Sequence, residues 1–124
     1  MIARLLVLAA MLAPAALPAQ SKAAPDITGT WRVDTGADVG NGPREVIIRA
    51  DSSASWGKEV VRWRLKGDQI AIAIGGEWER YKVRVNSKSL TLSGGDLRKP
   101  VTLKRTGDAT PRPANVKIPA DPDA

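Results

Sequence analysis

From Ile27 onward the chain alternates apolar and polar side chains with a period of two, the pattern of strands that bury one face and wet the other. In Glu59–Lys66, Val61, Trp63 and Leu65 fall on one side, and Arg62, Arg64 and Lys66 on the other. After a Gly67-Asp68 turn, Gln69–Ile74 puts Ile70, Ile72 and Ile74 on one face with Ala71 and Ala73 opposite. Gly75-Gly76 turns the chain again, and over residues 77–86 Tyr81, Val83 and Val85 alternate with Arg80, Lys82 and Arg84. Asn86-Ser87-Lys88 leads into Ser89–Ser93, where Leu90 and Leu92 face inward, and Val101 and Leu103 mark a last strand beyond Gly94-Gly95 and Pro100. Upstream, Thr28–Asp34 and Arg44–Ala50 add two strands, separated by the stretch Gly40-Asn41-Gly42. The spacing thus predicts seven strands joined by short Gly/Asn/Asp turns. No amphipathic helix of useful length competes with them. Ser52–Gly57 is the least strand-like internal segment and reads as a loop at the barrel mouth, with Trp56 as a lid over a shallow pocket or a hydrophobic plug.

A meander this regular must hide its edges, most simply by curling up. The expected fold is all-β: a small antiparallel up-and-down barrel of about seven or eight strands spanning residues 27–106. Trp63, the isoleucines and Tyr81 belong to its inward set. The flanks differ in composition. Residues 1–19 carry one early cation, Arg4, then the apolar run Leu5–Leu12 and a proline-punctuated stretch of small residues. These are the regions of a signal peptide, cleaved before Gln20, and the run is far short of the roughly 20 residues that span a bilayer. Residues 20–26 read as a flexible leader. Residues 107–124, with prolines at 111, 113, 119 and 122, read as an extended or disordered tail, of which Asn115–Ile118 is able to add to a sheet edge.

Composition then narrows the chemistry. Cys, His and Phe are absent, and 19 Lys/Arg face 13 Asp/Glu for a formal charge of +6. Without Cys or His the chain lacks disulfides, thiol nucleophiles, Cys/His zinc sites and histidine bases. No cysteine follows the signal, so a lipoprotein anchor is excluded. A cysteine-free exported domain fits a bacterial periplasm, or secretion from a bacterium, better than a eukaryotic secretory route. Glu77 and Glu79 share a strand face, a spacing compatible with a carboxylate pair. No phosphate loop, nucleophile elbow or metal cluster accompanies them. The expectation is no enzyme, no catalytic residue, no metal and no cofactor.

Ile27-Thr28-Gly29-Thr30-Trp31 resembles the Gly-x-Trp opening of lipocalin-type barrels. Trp63-Arg64-Leu65-Lys66-Gly67-Asp68-Gln69-Ile70, Tyr81, Ser89-Leu90-Thr91-Leu92 and Leu103-Lys104-Arg105 are similar to small bacterial lipocalin-like (calycin-type) domains. The resemblance covers residues 27–106 and implies a structural job for Gly29, Trp31 and Arg105, with Trp31 closing the barrel bottom beneath the Arg105 cation. It implies a ligand-binding barrel, shorter than a full lipocalin. Thr28-Gly29-Thr30-Trp31 also resembles avidin-type barrels, whose further binding tryptophans are unmatched. Small exported bacterial metalloprotease inhibitors share the signal, leader and Trp-opening barrel, but their disulfide is missing here.

Two candidate sites follow. An apolar or amphipathic ligand held inside would contact Trp56, Trp63, Ile72 and Tyr81. If strands 59–66, 69–74 and 77–86 are consecutive neighbours, their outer face carries Arg62, Arg64 and Lys66 on one side and Arg80, Lys82 and Arg84 on the other. Gln69, Ala71 and Ala73 form the strip between them, and Trp78 sits exposed at its edge. Such a face suits an anionic polymer or lipid headgroup, or is a solvated surface that limits aggregation. Export argues against nucleic acid and for an anionic envelope glycolipid. The leading expectation is an exported, non-catalytic binding protein for a small apolar ligand or an envelope component. Protease inhibition and anion binding by the basic face are the alternatives.

Overall fold

The computed structural model describes residues 26–124; the expected signal peptide and nearly all of the leader lie outside the described residues. The chain forms eight strands: β1 (Gly29–Arg32), β2 (Glu45–Ile48), β3 (Ser53–Trp56), β4 (Glu59–Lys66), β5 (Gln69–Ile74), β6 (Glu77–Val85), β7 (Ser89–Ser93) and β8 (Val101–Gly107). Each pairs antiparallel with the next, and β8 returns to β1, closing an up-and-down barrel. Closure leaves no edge for Asn115–Ile118 to extend, and that segment is not a strand.

The strand absent from the sequence reading is β3. Ser-Ala-Ser-Trp has weak β-propensity, so Ser52–Gly57 reads as a loop, but β2 and β4 both need a partner. Val46 pairs with Trp56 and Ile48 with Ala54 on one side, and Ala54 pairs with Val61 on the other. Ser53 and Ala54 are fully buried. Small residues here let the wall pass close to the core.

The interior is filled by side chains of alternate residues. Trp31, Val46, Ile48, Val61, Ile70, Ile72, Leu90, Leu92, Val101 and Leu103 are each at most 1% exposed. One end is closed by Ile27, whose carbonyl accepts the Trp31 indole N–H at 3.0 Å, and by Trp63, whose Nε1 donates to the Arg49 carbonyl at 2.8 Å. At the other end the β7–β8 loop lies across Tyr81. Asp96 accepts the Tyr81 hydroxyl at 2.8 Å. Gly95, at positive φ, passes so near that a Cβ there would sit 2.7 Å from the Tyr81 ring. Asn41 clips this loop to the β1–β2 connection, donating to the Asp96 carbonyl and accepting the Arg98 N–H.

Candidate functional site: the cationic outer face

The registers place the outer face in three rows. Arg62, Ala73 and Trp78 form the first, Arg64, Ala71 and Arg80 the second, and Lys66, Gln69 and Lys82 the third. Arg84 continues the surface opposite Thr91 on β7. Period-two alternation on three long strands sets this arrangement, since a one-residue slip would turn the cations into the core. Two grooves are cut into it. One of about 300 Å³ is lined by Arg64, Lys66, Asp68, Gln69, Ala71 and Arg80. The other, about 430 Å³, is lined by residues that include Lys82, Arg84, Thr91 and Ser93.

Within the face, Arg64 reaches diagonally across the alanine strip, its guanidinium carbon 3.9 Å from the centre of the Trp78 ring. Ala71 and Ala73 point outward yet are only 6% and 1% exposed. Trp78 is therefore not an exposed edge residue as the sequence suggests; it is half-buried, because the arginine two strands away packs on it. Its Nε1 is buried and makes no hydrogen bond. Such an orphaned donor costs on the order of 1–3 kcal/mol.

The C-terminal segment supplies the other partners. Residues 108–124 form no strand or helix but run along the outside of the barrel. The Thr30 hydroxyl donates to the Asp108 carbonyl at 2.7 Å, and Arg49 Nε donates to the Thr110 carbonyl at 2.7 Å. Further on, Arg62 Nε donates to the Pro119 carbonyl at 2.8 Å, and Arg64 Nη2 pairs with Asp123 Oδ2 at 3.0 Å. Lys66, Arg80, Lys82 and Arg84 make no ion pair among the described residues.

Arg49, which sequence patterning did not single out, is 5% exposed. Its Nη2 donates to the Ser55 hydroxyl at 2.7 Å. Desolvation holds its pKa below the usual arginine value, against the pull of Asp51. Asp51 is itself held below the ordinary carboxylate value, mainly by the Ser53 hydroxyl bonded to it.

The interior candidates are arranged differently. Trp56 is a strand residue stacked on Tyr81, ring centroids 5.2 Å apart and 25° from parallel. Ile72 is fully buried, and Trp63, half-buried, is its register partner. Burial and the Asp96 bond push the Tyr81 phenol well above its usual pKa. Glu79 shares Tyr81's side of β6 and pairs with Ile72, while Glu77 sits exposed at the strand start. At the opposite end the Arg105 guanidinium carbon lies 4.3 Å from the Trp31 ring centre, and Nη1 donates to the Thr28 carbonyl at 2.6 Å. Gly29, at φ 146°, makes room for it, because a Cβ there would collide with that guanidinium.

Among the described residues no group of His, Cys, Asp and Glu is placed to hold a metal, and no helix is long and apolar enough to cross a membrane. Compared with models of known families, with curated proteins and with solved structures, the chain matches none.

Proposed function

We propose that this is an exported, non-catalytic, lipocalin-like binding protein that works through its outer face, holding phosphate-bearing anions between the cations of β4 and those of β6. The observation that carries this reading is the 300 Å³ groove in which Arg64 and Lys66 face Arg80 across Gln69 and Ala71. Lys66 and Arg80 there have no carboxylate partner among the described residues. Guanidinium groups on facing strands suit bidentate contact with phosphate oxygens. A ligand inside the barrel would instead have to displace Ile72 and separate the stacked Trp56 and Tyr81. Export from a bacterium makes an anionic envelope glycolipid the available source, with soluble phosphate polymers as the chemical equivalent.

The test is co-sedimentation with phosphatidylglycerol vesicles, alongside polyphosphate in solution. Binding should weaken steeply between about 0.01 and 0.15 M ionic strength, where the Debye length falls from roughly 30 to 8 Å. Preference for vesicles identifies a lipid headgroup, and equal binding identifies phosphate alone. Retention that ignores salt, or survives the Arg64→Gln/Arg80→Gln double variant, contradicts the proposal.

A further inference from the structure

We infer that the chain's own C-terminal end is an internal competitor for this cationic face, seated there by its acidic tip and displaced when a phosphate-bearing anion binds; the inference rests on the reading of the face as an anion site. The segment is held unequally along its length. Its root is fixed by the Thr30 hydroxyl on Asp108 and by the buried Arg49 guanidinium on Thr110. Residues 113–117 are exposed. Beyond them Ile118, Pro119, Asp121 and Pro122 are half-buried, and the polar contacts of the tip with the face, among the described residues, come from β4: Arg62 on the Pro119 carbonyl and Arg64 on Asp123. In the latter pair the side chains are 40% and 60% exposed. An ion pair so open to water is weak and screened by salt, so the Asp123 end is the part of the segment that an anion displaces first, while the root keeps its buried partners.

The chemistry of the tip matches the site it covers. Asp121 and Asp123 form a small turn, with the Asp123 N–H donating to Asp121 Oδ1 at 2.8 Å, and the Asp123 carboxylate lies on the guanidinium that lines the groove. An incoming anion first meets the unpaired Lys66 and Arg80. Full engagement then needs Arg64, which cannot serve Asp123 and a phosphate in the same geometry. Displacement follows from that shared group, and the cost of freeing Arg64 lowers the apparent affinity of the intact chain.

The chain has no cysteine, so a nitroxide on Ala124→Cys of the otherwise intact chain reports on the tip alone. In the free protein it should broaden the NMR signals of Ala71, Ala73 and the Trp78 indole, and saturating polyphosphate should restore them. The Asp121→Asn/Asp123→Asn variant should bind polyphosphate a few-fold more tightly, the size an exposed ion pair supports. Sharp signals in the free protein, broadening that persists while polyphosphate shifts the Arg80 region, or unchanged affinity in the variant would each overturn the competition and leave the anion site standing. If polyphosphate shifts nothing in either protein, the anion site falls and the competition with it.

Discussion

The barrel carries two arginine–tryptophan stacks of nearly the same geometry, Arg105 over Trp31 and Arg64 over Trp78, in opposite surroundings. Around Trp31 every polar group is answered. The indole N–H reaches the Ile27 carbonyl, and Arg105 donates to the carbonyls of Thr28 and Asp26. Trp31 itself is fully buried. Around Trp78 the accounting is open: its N–H has no acceptor, and Arg64 rests on one exposed carboxylate of the C-terminal segment. The same contact is thus a closure where its hydrogen bonds are complete, and where they are not it lies in the surface proposed to bind anions.

The largest effect separating the two should come from the tryptophans. Trp31→Ala should cost about 3–5 kcal/mol, read as a shift in urea midpoint. Trp78→Ala, at a half-buried site, should cost clearly less; equal losses would erase the distinction. The arginines sharpen it. Arg105→Ala removes a cation–π contact of about 0.5–2 kcal/mol and two backbone bonds, and should leave anion binding intact. Arg64→Ala removes a cation–π contact of the same order, about 0.5–2 kcal/mol, together with an exposed ion pair, and should abolish salt-sensitive binding. If both variants lose binding equally, the surface assignment is wrong.

Much of this was legible in the alternation of β4, β5 and β6. Three long strands with cations on one parity and Val61, Ile70, Ile72 and Tyr81 on the other allow a single register, and the structure has it. Two features escaped. Ser53–Trp56 hid as a strand because its inward residues include an alanine, small enough to erase the hydrophobic period. The path of residues 108–124 escaped because polar, proline-rich chain carries no periodic signal; its seat is set by single side chains, Arg49, Arg62 and Arg64, on distant strands. The burial of Trp78 depends on the same long-range geometry.

A smaller prediction concerns pH. Tyr81 is the chain's one tyrosine, and its folded-state pKa lies above the ordinary value of 10.0 because of burial first and the Asp96 bond second. Below pH 10 both states hold the proton. Above it the unfolded chain releases the proton while the barrel retains it, so stability falls as pH rises from there. Phenolate absorbance should therefore appear only with unfolding. Titration of the intact barrel near 10 would show that the Gly95–Asp96 loop does not seal this end. The smallest effect lies at acid pH. Asp26 and Asp51 are held below the ordinary 3.8 by the Thr28 and Ser53 hydroxyls. Their contributions are complete above that value and are lost as pH falls through the lower folded pKa values, a mild weakening checked by melting temperature against pH.

The central claim is that the ligand is held outside a filled barrel, and the four tryptophans report on it in one spectrum. Two indole N–H groups, of Trp31 and Trp63, are tied to carbonyls at one closed end, that of Trp56 belongs to the ring stacked on Tyr81, and that of Trp78 lies unbonded under the cationic face. In a ¹H–¹⁵N titration with polyphosphate, the Trp78 indole should shift while those of Trp31, Trp56 and Trp63 stay in place. Movement of the Trp56 and Trp63 signals with Trp78 unchanged would put the ligand inside the barrel and contradict the account.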